Sequence, residues 1–280
     1  MAGMIRITTH LPLFEECPAE LRAAASHLFF DVDDTLTCDG QLPERTVQSL
    51  YRAHDAGIHL VAVTGRSAAW AEMLLRLFPL RAAIAETGAL CLFKGEKNQV
   101  RELHSQPDEK TRAEHDAARS RAAKRVLTEV PGARLALDNR GRAYDTAFDL
   151  VEDGPPLAPE QADEIRRILA EEGLEVAQSS VHINAWFGHF NKATMVQRYL
   201  DEQCASSLEH LGTRLVYVGD SRNDGAMFAR AGLAVGVANV APHLAWLREQ
   251  GQAPGYITSA PGGYGFAEVV EHLLAARRND

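Results

Sequence analysis

The sequence has few cysteines, no excess of basic residues and no long uninterrupted apolar run. Its four cysteines include no Cys-x-x-Cys pair, so we expect free thiols and a reducing compartment. The formal net charge of −9 argues against a general nucleic-acid-binding protein, which needs a basic face. The apolar stretch at 231–247 is interrupted by glycine, asparagine and proline, so we expect no membrane span there. Residues 1–17 lack a continuous apolar signal core, and we therefore expect a cytoplasmic location.

The periodicity of the first 88 residues predicts alternating strands and helices. The chain has 280 residues, of which 46% are hydrophobic, enough for two domains or for one domain with a large insertion. Short apolar runs are followed by segments of helical period. The strands are expected at 27–32, 58–63 and 82–85, and the helices at 44–57 and 68–78. This β-α-β-α-β order predicts a parallel sheet that is covered by helices.

The pattern changes after Gly88 and returns near residue 188. The intervening segment reads as strands with separate helices, including a hairpin expected around the turn at 139–142. The alternation then resumes with a helix at 192–204 and a strand at 214–220. We predict a doubly wound, Rossmann-like α/β core, residues 1–88 and 188–280, split by an inserted α+β cap, residues 89–187.

Carboxylates are concentrated directly after the first predicted strand, in LFFDVDDTLT. Asp31 and Asp33 are two residues apart and point to the same side of an extended chain. Two such carboxylates repel unless a cation or a shared proton offsets their charge. A calcium loop of the EF-hand type does not fit, because Leu36 and Leu42 stand where glycine and glutamate are required. An acidic turn that caps a helix is the other alternative, and Asp34, which points away, is expected to matter least.

A threonine and a lysine follow in later segments. Thr64 and Gly65, in VTGRS, end a predicted strand before a helix, and a helix N-terminus with a small polar loop suits an oxyanion. Such turns are also common in purely structural roles. Lys192 lies in the first turn of a helix, the end that cations disfavour unless something negative faces them. A solvent-exposed lysine is the alternative.

A second acidic group occurs in VGDSRNDGAMF. Asp220 ends a predicted strand, and Asn223 and Asp224 open the next helix. A role as helix N-cap explains Asp224 but not Asp220. Because ligands of open parallel sheets bind beyond the carboxyl ends of the strands, we expect all of these polar groups to meet at one edge.

Taken together, these segments resemble the haloacid dehalogenase superfamily of phosphohydrolases. DVDDTLT is similar to its D-x-D-x-T signature, VTGR to its threonine motif, Lys192 to its lysine motif, and GDSRND to its G-D-x-x-x-D motif. The match covers residues 27–88 and 188–277, and nothing is assigned to residues 1–26. The insertion between the threonine and lysine motifs resembles the C2-type cap of the Cof-like sugar-phosphatase branch, subfamily IIB.

The resemblance implies a chemical role for each motif. Asp31 is expected to attack phosphorus and form an aspartyl-phosphate, and Asp33 to protonate the leaving group and then activate water. Lys192 is expected to neutralise charge in the catalytic centre. The implied Mg²⁺ site takes ligands from Asp31, the carbonyl of Asp33 and Asp220, with Asp224 bound directly or through water. The implied phosphate site consists of Thr64, Gly65, Lys192 and Asn223.

Substrate specificity is expected where the cap meets the core. His182, Asn184 and Trp186 alternate and so share one face of a strand, which packing or solvation explains equally well. Arg66 is either a surface ion-pair partner or a ligand. The candidate specificity residues are Glu86, Thr87, Arg140, Arg142, His182, Asn184, Trp186 and His189.

The leading hypothesis is a Mg²⁺-dependent phosphatase that acts on a small phosphorylated metabolite, either a sugar phosphate or a glycosyl phosphate, with no nucleic-acid or membrane partner. A phosphomutase of related fold is an alternative. A metal-dependent glycosyltransferase that uses DVD as its metal motif is another, but it leaves Thr64, Lys192 and Asp220 without a joint role. The presence of both Asp31 and Asp33 disfavours a non-catalytic binding module.

Overall fold

A computed structural model describes residues 11–106, 108–179 and 181–278. Its strands are β1 (His27–Phe30), β2 (His59–Val63), β3 (Ala82–Ala85), β4 (Leu90–Lys94), β5 (Val100–His104), β6 (Asp145–Asp149), β7 (Glu175–Gln178), β8 (His182–Trp186), β9 (Leu215–Gly219), β10 (Leu233–Gly236) and β11 (Tyr256–Ile257). Its α-helices are α1 (Ala19–Ala24), α2 (Glu44–Asp55), α3 (Ala68–Leu77), α4 (Glu109–Glu129), α5 (Pro159–Glu171), α6 (Lys192–Gln203), α7 (Leu208–Leu211), α8 (Gly225–Phe228), α9 (Leu244–Glu249) and α10 (Gly262–Arg277).

Eight strands form one large sheet in the order β11-β10-β9-β1-β2-β3-β4-β5. The first six of these are parallel, whereas β4 and β5 are antiparallel. The side chains of Leu28, Phe29 and Phe30 in the central strand are fully buried, as expected where helices cover both faces of a parallel sheet. The predicted α/β core is confirmed.

The register of the sheet brings three predicted motifs to one edge. In the hydrogen-bonded ladders Phe30 of β1 is level with Ala62 of β2 and with Val218 of β9. Asp31, Thr64 and Asp220, which follow these strands, therefore emerge side by side at their carboxyl ends. This is the position at which open α/β sheets bind ligands.

The predicted boundary at residue 89 is wrong in one respect, because residues 90–104 belong to the large sheet. The turn at 86–88 has a positive φ at each of its three residues and reverses the chain, so that Leu90 pairs with Ala85. The apolar side chains of β4 then extend the buried sheet instead of opening a new unit. Residues 1–10 and 279–280 of the predicted core lie outside the described residues.

The inserted unit is a three-stranded antiparallel sheet, in the order β6-β8-β7, with α4 and α5 packed on one face. The predicted hairpin around 139–142 is wrong, because residues 137–141 form a 3₁₀ helix and only Leu135 bridges to Phe148. The side chain of Asn139 explains the difference. Its amide bonds to both the carbonyl and the N–H of Ala147, and these bonds occupy groups that a paired strand would use.

The chain between residues 14 and 24, for which the motifs predict nothing, packs on the core. Phe14 is fully buried and makes an edge-to-face contact with Tyr256, and α1 lies against α10. None of the described helices is long and apolar enough to cross a membrane.

Candidate active site

Lys192 is a buried cation between two carboxylates, one directly after β1 and one in the 3₁₀ turn that follows β9. Its side chain has no exposed surface, and Nζ lies 3.0 Å from Asp31 Oδ1 and 2.7 Å from Asp224 Oδ1. It also donates to Asn223 Oδ1 at 3.3 Å. Burial lowers the pKa of Lys192, but Asp224 and Asp31 together raise it above its usual value. The lysine is therefore charged, and the alternative of a solvated lysine is wrong.

Asp224 is held by so many donors that its own lone pairs are used up. Oδ1 accepts from Lys192 and from the hydroxyl of Tyr217, while Oδ2 accepts from the backbone N–H groups of Asp220 and Ser221, each at 3.0 Å. A carboxylate offers about four lone-pair positions. Asp224 consequently orients Lys192 and the end of β9.

The carboxylates of Asp31 and Asp220 are less compensated by hydrogen-bond donors than that of Asp224. One oxygen from each lies within 4.8 Å of the other and of one Asp224 oxygen. Burial raises the pKa of Asp31 to about 7, with Lys192 lowering it and Asp224 and Asp33 raising it further. Burial, followed by the charges of Asp224 and Asp31, also raises the pKa of Asp220 well above its usual value. A divalent cation is the chemical group that such a cluster of oxygen donors fits.

Asp33 lies beside this cluster and is paired with Arg66. The guanidinium donates to both carboxylate oxygens of Asp33, from Nε at 3.0 and 2.9 Å and from Nη2 at 2.7 Å. Asp31 thus contacts a lysine, and 5% of the Asp31 side chain is exposed, whereas Asp33 contacts an arginine at the margin of the site and has 18% of its side chain exposed. Different surroundings allow two neighbouring carboxylates to act as nucleophile and as proton carrier.

The loop after β2 presents small polar groups to the same space. Thr64 is buried, and its hydroxyl oxygen accepts from the backbone N–H of Arg66 at 3.0 Å, which leaves the hydroxyl hydrogen for another acceptor. Gly65 lines the cavity beside the two aspartates. This loop precedes α3, and a small polar loop before a helix suits an oxyanion.

A small cavity and a larger groove meet at the site. The cavity is lined by Asp31, Asp33 and Asp220 from the large sheet and by Ser179, His182 and Asn184 from the inserted unit. Its volume is about 10 Å³, roughly the space of one water molecule. The groove has a volume of about 910 Å³ and runs between the two parts of the chain. The cavity and the groove share Ser179, Ser221 and Asn223.

The family described as Sucrose-6F-phosphate phosphohydrolase matches residues 24–273, which is most of the chain. The chain belongs to this family. It is a phosphatase of the haloacid dehalogenase superfamily, and the predicted resemblance is confirmed.

Several solved structures have the same fold as this chain. Protein 0175 of Thermoplasma acidophilum is 17% identical, with 89% of this chain and 98% of that chain covered and a TM-score of 0.69. The sucrose-phosphatase of Synechocystis, solved with sucrose and phosphate, is 18% identical over 88% and 97%, with a TM-score of 0.61. The C-terminal domain of Candida albicans trehalose-6-phosphate phosphatase is 14% identical over 97% and 100%, with a TM-score of 0.65. A search of curated proteins found no match.

Two of the predicted specificity residues of this phosphatase line the cavity, and a third lies close behind them. His182 and Asn184 extend from β8 toward the aspartates, and Asn184 also donates to Asp145 at 2.7 Å. Arg142 is bound to Asp138 and Asp145 and donates to the carbonyl of Gly65 at 2.9 Å. Arg142 therefore connects the inserted unit to the loop after β2.

Glu86 and Thr87 occupy the turn between β3 and β4. The carboxylate of Glu86 is fully buried and accepts from the backbone N–H groups of Ala68 and of residues 143, 144 and 145. Burial and then Asp145 raise its pKa to about 7, against the backbone hydrogen bonds. The N–H of Thr87 donates to the carbonyl of Thr64 at 3.1 Å. Glu86 joins the inserted unit to the core, Thr87 joins the turn to the loop after β2, and neither residue lines the cavity.

The remaining predicted specificity residues lie away from the cavity. Trp186 is buried and stacks on Phe190, with ring centroids 5.5 Å apart. Arg140 is exposed. His189 is also exposed and lies 3.2 Å from Glu175. The structure does not bring these three side chains to the aspartates.

Several site residues were not among those predicted. Ser221 lies inside the GDSRND segment, so its proximity to Asp220 could have been inferred from sequence. Tyr217 lies in β9, two residues before Gly219. Strand alternation places its side chain on the same side as position 219, toward Asp224, which is a weaker signal in the sequence. Glu152 and Ser179 carry no local pattern, because only the folding of the inserted unit over the core brings them to the site.

Proposed function

We propose that this phosphatase is Mg²⁺-dependent and hydrolyses a small sugar phosphate or glycosyl phosphate through an aspartyl-phosphate on Asp31. The main support is the position of Asp31, buried at the edge of the sheet, 3.0 Å from the Lys192 ammonium and clustered with Asp220. A lone buried carboxylate would be costly, but one beside a cation is ready to act as an anionic nucleophile. We also propose a cytoplasmic location, which the four free cysteines support.

The donor set fits Mg²⁺, which prefers carboxylate and carbonyl oxygens. Asp31 and Asp220 have lone pairs to offer. Among the described residues, the side chain of Asp220 accepts from the hydroxyl of Thr35 at 3.2 Å and from the amide of Asn239 at 3.5 Å. Asp224 has its lone pairs occupied, so we assign it an indirect role through Lys192 or a water. The carbonyl of Asp33 remains the predicted further ligand. Bound Mg²⁺ would supply positive charge to the phosphoryl oxygens.

The side chains account for the chemical steps in order. Asp31 attacks phosphorus while the bond from phosphorus to the leaving oxygen breaks, and Asp33 gives its proton to that oxygen. Asp33 then takes a proton from water as the water oxygen attacks phosphorus. The bond from phosphorus to the Asp31 oxygen breaks, which releases phosphate and restores the Asp31 carboxylate. Thr64 and Lys192 contact the phosphoryl oxygens as their charge develops.

The groove provides room for the leaving group. A cavity of about 10 Å³ cannot hold a sugar, whereas the adjoining groove of about 910 Å³ can. Its walls include the ring of Trp246 and polar groups such as Gln178. The guanidinium carbon of Arg222 lies over the Trp246 ring, 5.3 Å from its centroid. Apolar faces with a few polar groups are typical of sites for small molecules. The match to the sucrose-6F-phosphate phosphohydrolase family supports a phosphorylated sugar as substrate.

A substrate panel tests this proposal. The protein is incubated with Mg²⁺ and sucrose 6F-phosphate, trehalose 6-phosphate, glucose 6-phosphate or glucose 1-phosphate, and released phosphate is measured. We expect turnover of at least one sugar phosphate, its loss in EDTA and its recovery with added Mg²⁺. Turnover that persists in EDTA would contradict the metal assignment. Conversion of glucose 1-phosphate to glucose 6-phosphate without release of phosphate would instead identify a mutase.

A further inference from the structure

Arg66 bridges two carboxylates that come from different parts of the chain. Its guanidinium binds Asp33 of the core and, through Nη1 at 2.8 Å and Nη2 at 2.7 Å, Glu152 of the inserted unit. Only 5% of the Arg66 side chain is exposed, and its guanidinium carbon lies 4.9 Å from the ring centroid of Trp70. All three guanidinium nitrogens are thus used, and the plane of the group is fixed from both sides.

Glu152 is itself held in place by the inserted unit. Its Oε2 lies 3.2 Å from Nε2 of His182, a buried residue that lines the cavity. Its backbone N–H donates to Asp149 Oδ1 at 2.7 Å, and Asp149 is in turn paired with Arg134. Contact with His182, then with Arg66, holds the pKa of Glu152 at about 2. Glu152 therefore presents a fixed negative charge to Arg66.

The geometry links the closure of the inserted unit to the orientation of Asp33. An arginine that binds only Asp33 keeps donors free for solvent or for a phosphoryl oxygen, and can swing with its partner. When Glu152 is in place, the Arg66 guanidinium is bound to Glu152 as well as to Asp33, so its orientation is fixed. The carboxylate of Asp33, which accepts from the same guanidinium, is then fixed too. Opening of the inserted unit would withdraw Glu152 and His182 together.

We propose that Glu152 and His182 are positioning residues that align Asp33, through Arg66, when the inserted unit closes on the core. This inference rests on the proposed function, in which Asp33 protonates the leaving group. A purely structural ion pair between the two parts of the chain would affect the turnover of every substrate alike. A pair that aligns the proton donor matters most where the leaving group needs the proton.

Leaving-group dependence of the Glu152→Gln variant tests the proposal. An alkoxide from a sugar phosphate leaves poorly without a proton, whereas p-nitrophenolate leaves readily as the anion. Because hydrolysis of the aspartyl-phosphate uses Asp33 for every substrate, the rate of the first step is measured alone, as leaving group released in a single turnover by rapid quench. General acid catalysis typically contributes about 10²–10⁴-fold to rate, so misalignment that forfeits part of this is expected to lower that rate for the sugar phosphate about tenfold or more. For p-nitrophenyl phosphate we expect less than about a twofold change. Glu160→Gln, an exposed carboxylate at the start of α5, is the matched control and should change neither rate.

A second variant and the remaining outcomes complete the test. His182→Gln keeps a polar group beside Glu152 and should show the same selective loss to a smaller extent. Equal losses of the single-turnover rate for both substrates, or no loss for either, would overturn the positioning role. Absence of phosphate release from both substrates by the unaltered protein would overturn the proposed function and this inference with it.

Discussion

Replacing Lys192 by methionine removes the positive charge between Asp31 and Asp224 and keeps a side chain of similar length. Nζ lies 3.0 Å from Asp31 and 2.7 Å from Asp224, with no exposed surface. Removing one partner of a buried ion pair costs about 3–5 kcal/mol, because the other charge stays buried and unpaired. For a chain of this size, this corresponds to a fall in melting temperature of about 6–20 °C. We also expect turnover to be lost.

Thermal unfolding with and without Mg²⁺ measures this effect. The metal would compensate the same carboxylates that Lys192 faces, so Mg²⁺ should raise the melting temperature of Lys192→Met more than that of the unaltered protein. Lys124→Met, at an exposed position on α4, is the control and should stay within about 0.5 kcal/mol. A Lys192→Met protein with unchanged stability and no added response to Mg²⁺ would refute the electrostatic reasoning.

Three other predictions concern the turn at residues 86–88, the pH dependence of stability, and the groove. In Gly88→Ala, a Cβ would lie 2.2 Å from the carbonyl oxygen of Asn191 at a φ of +105°, so chemical unfolding should show a loss of at least about 2 kcal/mol. Burial, followed by the neighbouring His27, lowers the pKa of His59 to about 4. Since this lies below the usual value of 6.5, up to about 3 kcal/mol of stability is present above pH 6.5 and is lost as pH falls toward 4. Urea unfolding measured over a series of pH values checks this loss of stability, and the loss should be absent in the His59→Gln variant. Trp246→Ala should raise KM for a sugar phosphate severalfold with little change in kcat, and an unchanged KM would contradict the role of the groove.

The core of the site could be predicted because each motif is local and strand ends align. Asp31, Thr64 and Asp220 each follow an apolar strand, and parallel strands bring their carboxyl ends to the same edge. The unfavourable position of Lys192 at the start of a helix was itself a signal that negative groups face it. These inferences required only short segments and the rule for where α/β sheets bind ligands.

Contacts that join distant segments could not be predicted in the same way. Arg66 and Glu152 are 86 positions apart, and no periodicity relates them. The burial of Glu86 depends on backbone N–H groups of a segment 57 to 59 positions later. Every residue except proline has a backbone N–H group, so the sequence does not show which of them bind Glu86. From the sequence alone, Glu86 is equally consistent with a specificity residue and with a residue that binds the inserted unit to the core.

The boundary of the insertion was misjudged for a related reason. Apolar strands after Gly88 suit either an extension of the large sheet or the start of a new one, because periodicity does not state which edge a strand joins. The left-handed conformations of Glu86 and Thr87 decide the direction. Such backbone values are uncommon for residues other than glycine, so the sequence favoured no tight reversal at this point.

The central claim, that Asp31 is the nucleophile, is tested most directly by trapping its phosphorylated form. The protein is mixed with Mg²⁺ and a sugar phosphate that it turns over, quenched rapidly with borohydride, and mapped by peptide mass spectrometry. Reduction of an aspartyl-phosphate yields homoserine, which we predict at position 31 and not at position 33, and we predict none in the Asp31→Asn variant. Full turnover by Asp31→Asn, or homoserine at another carboxylate, would contradict the account.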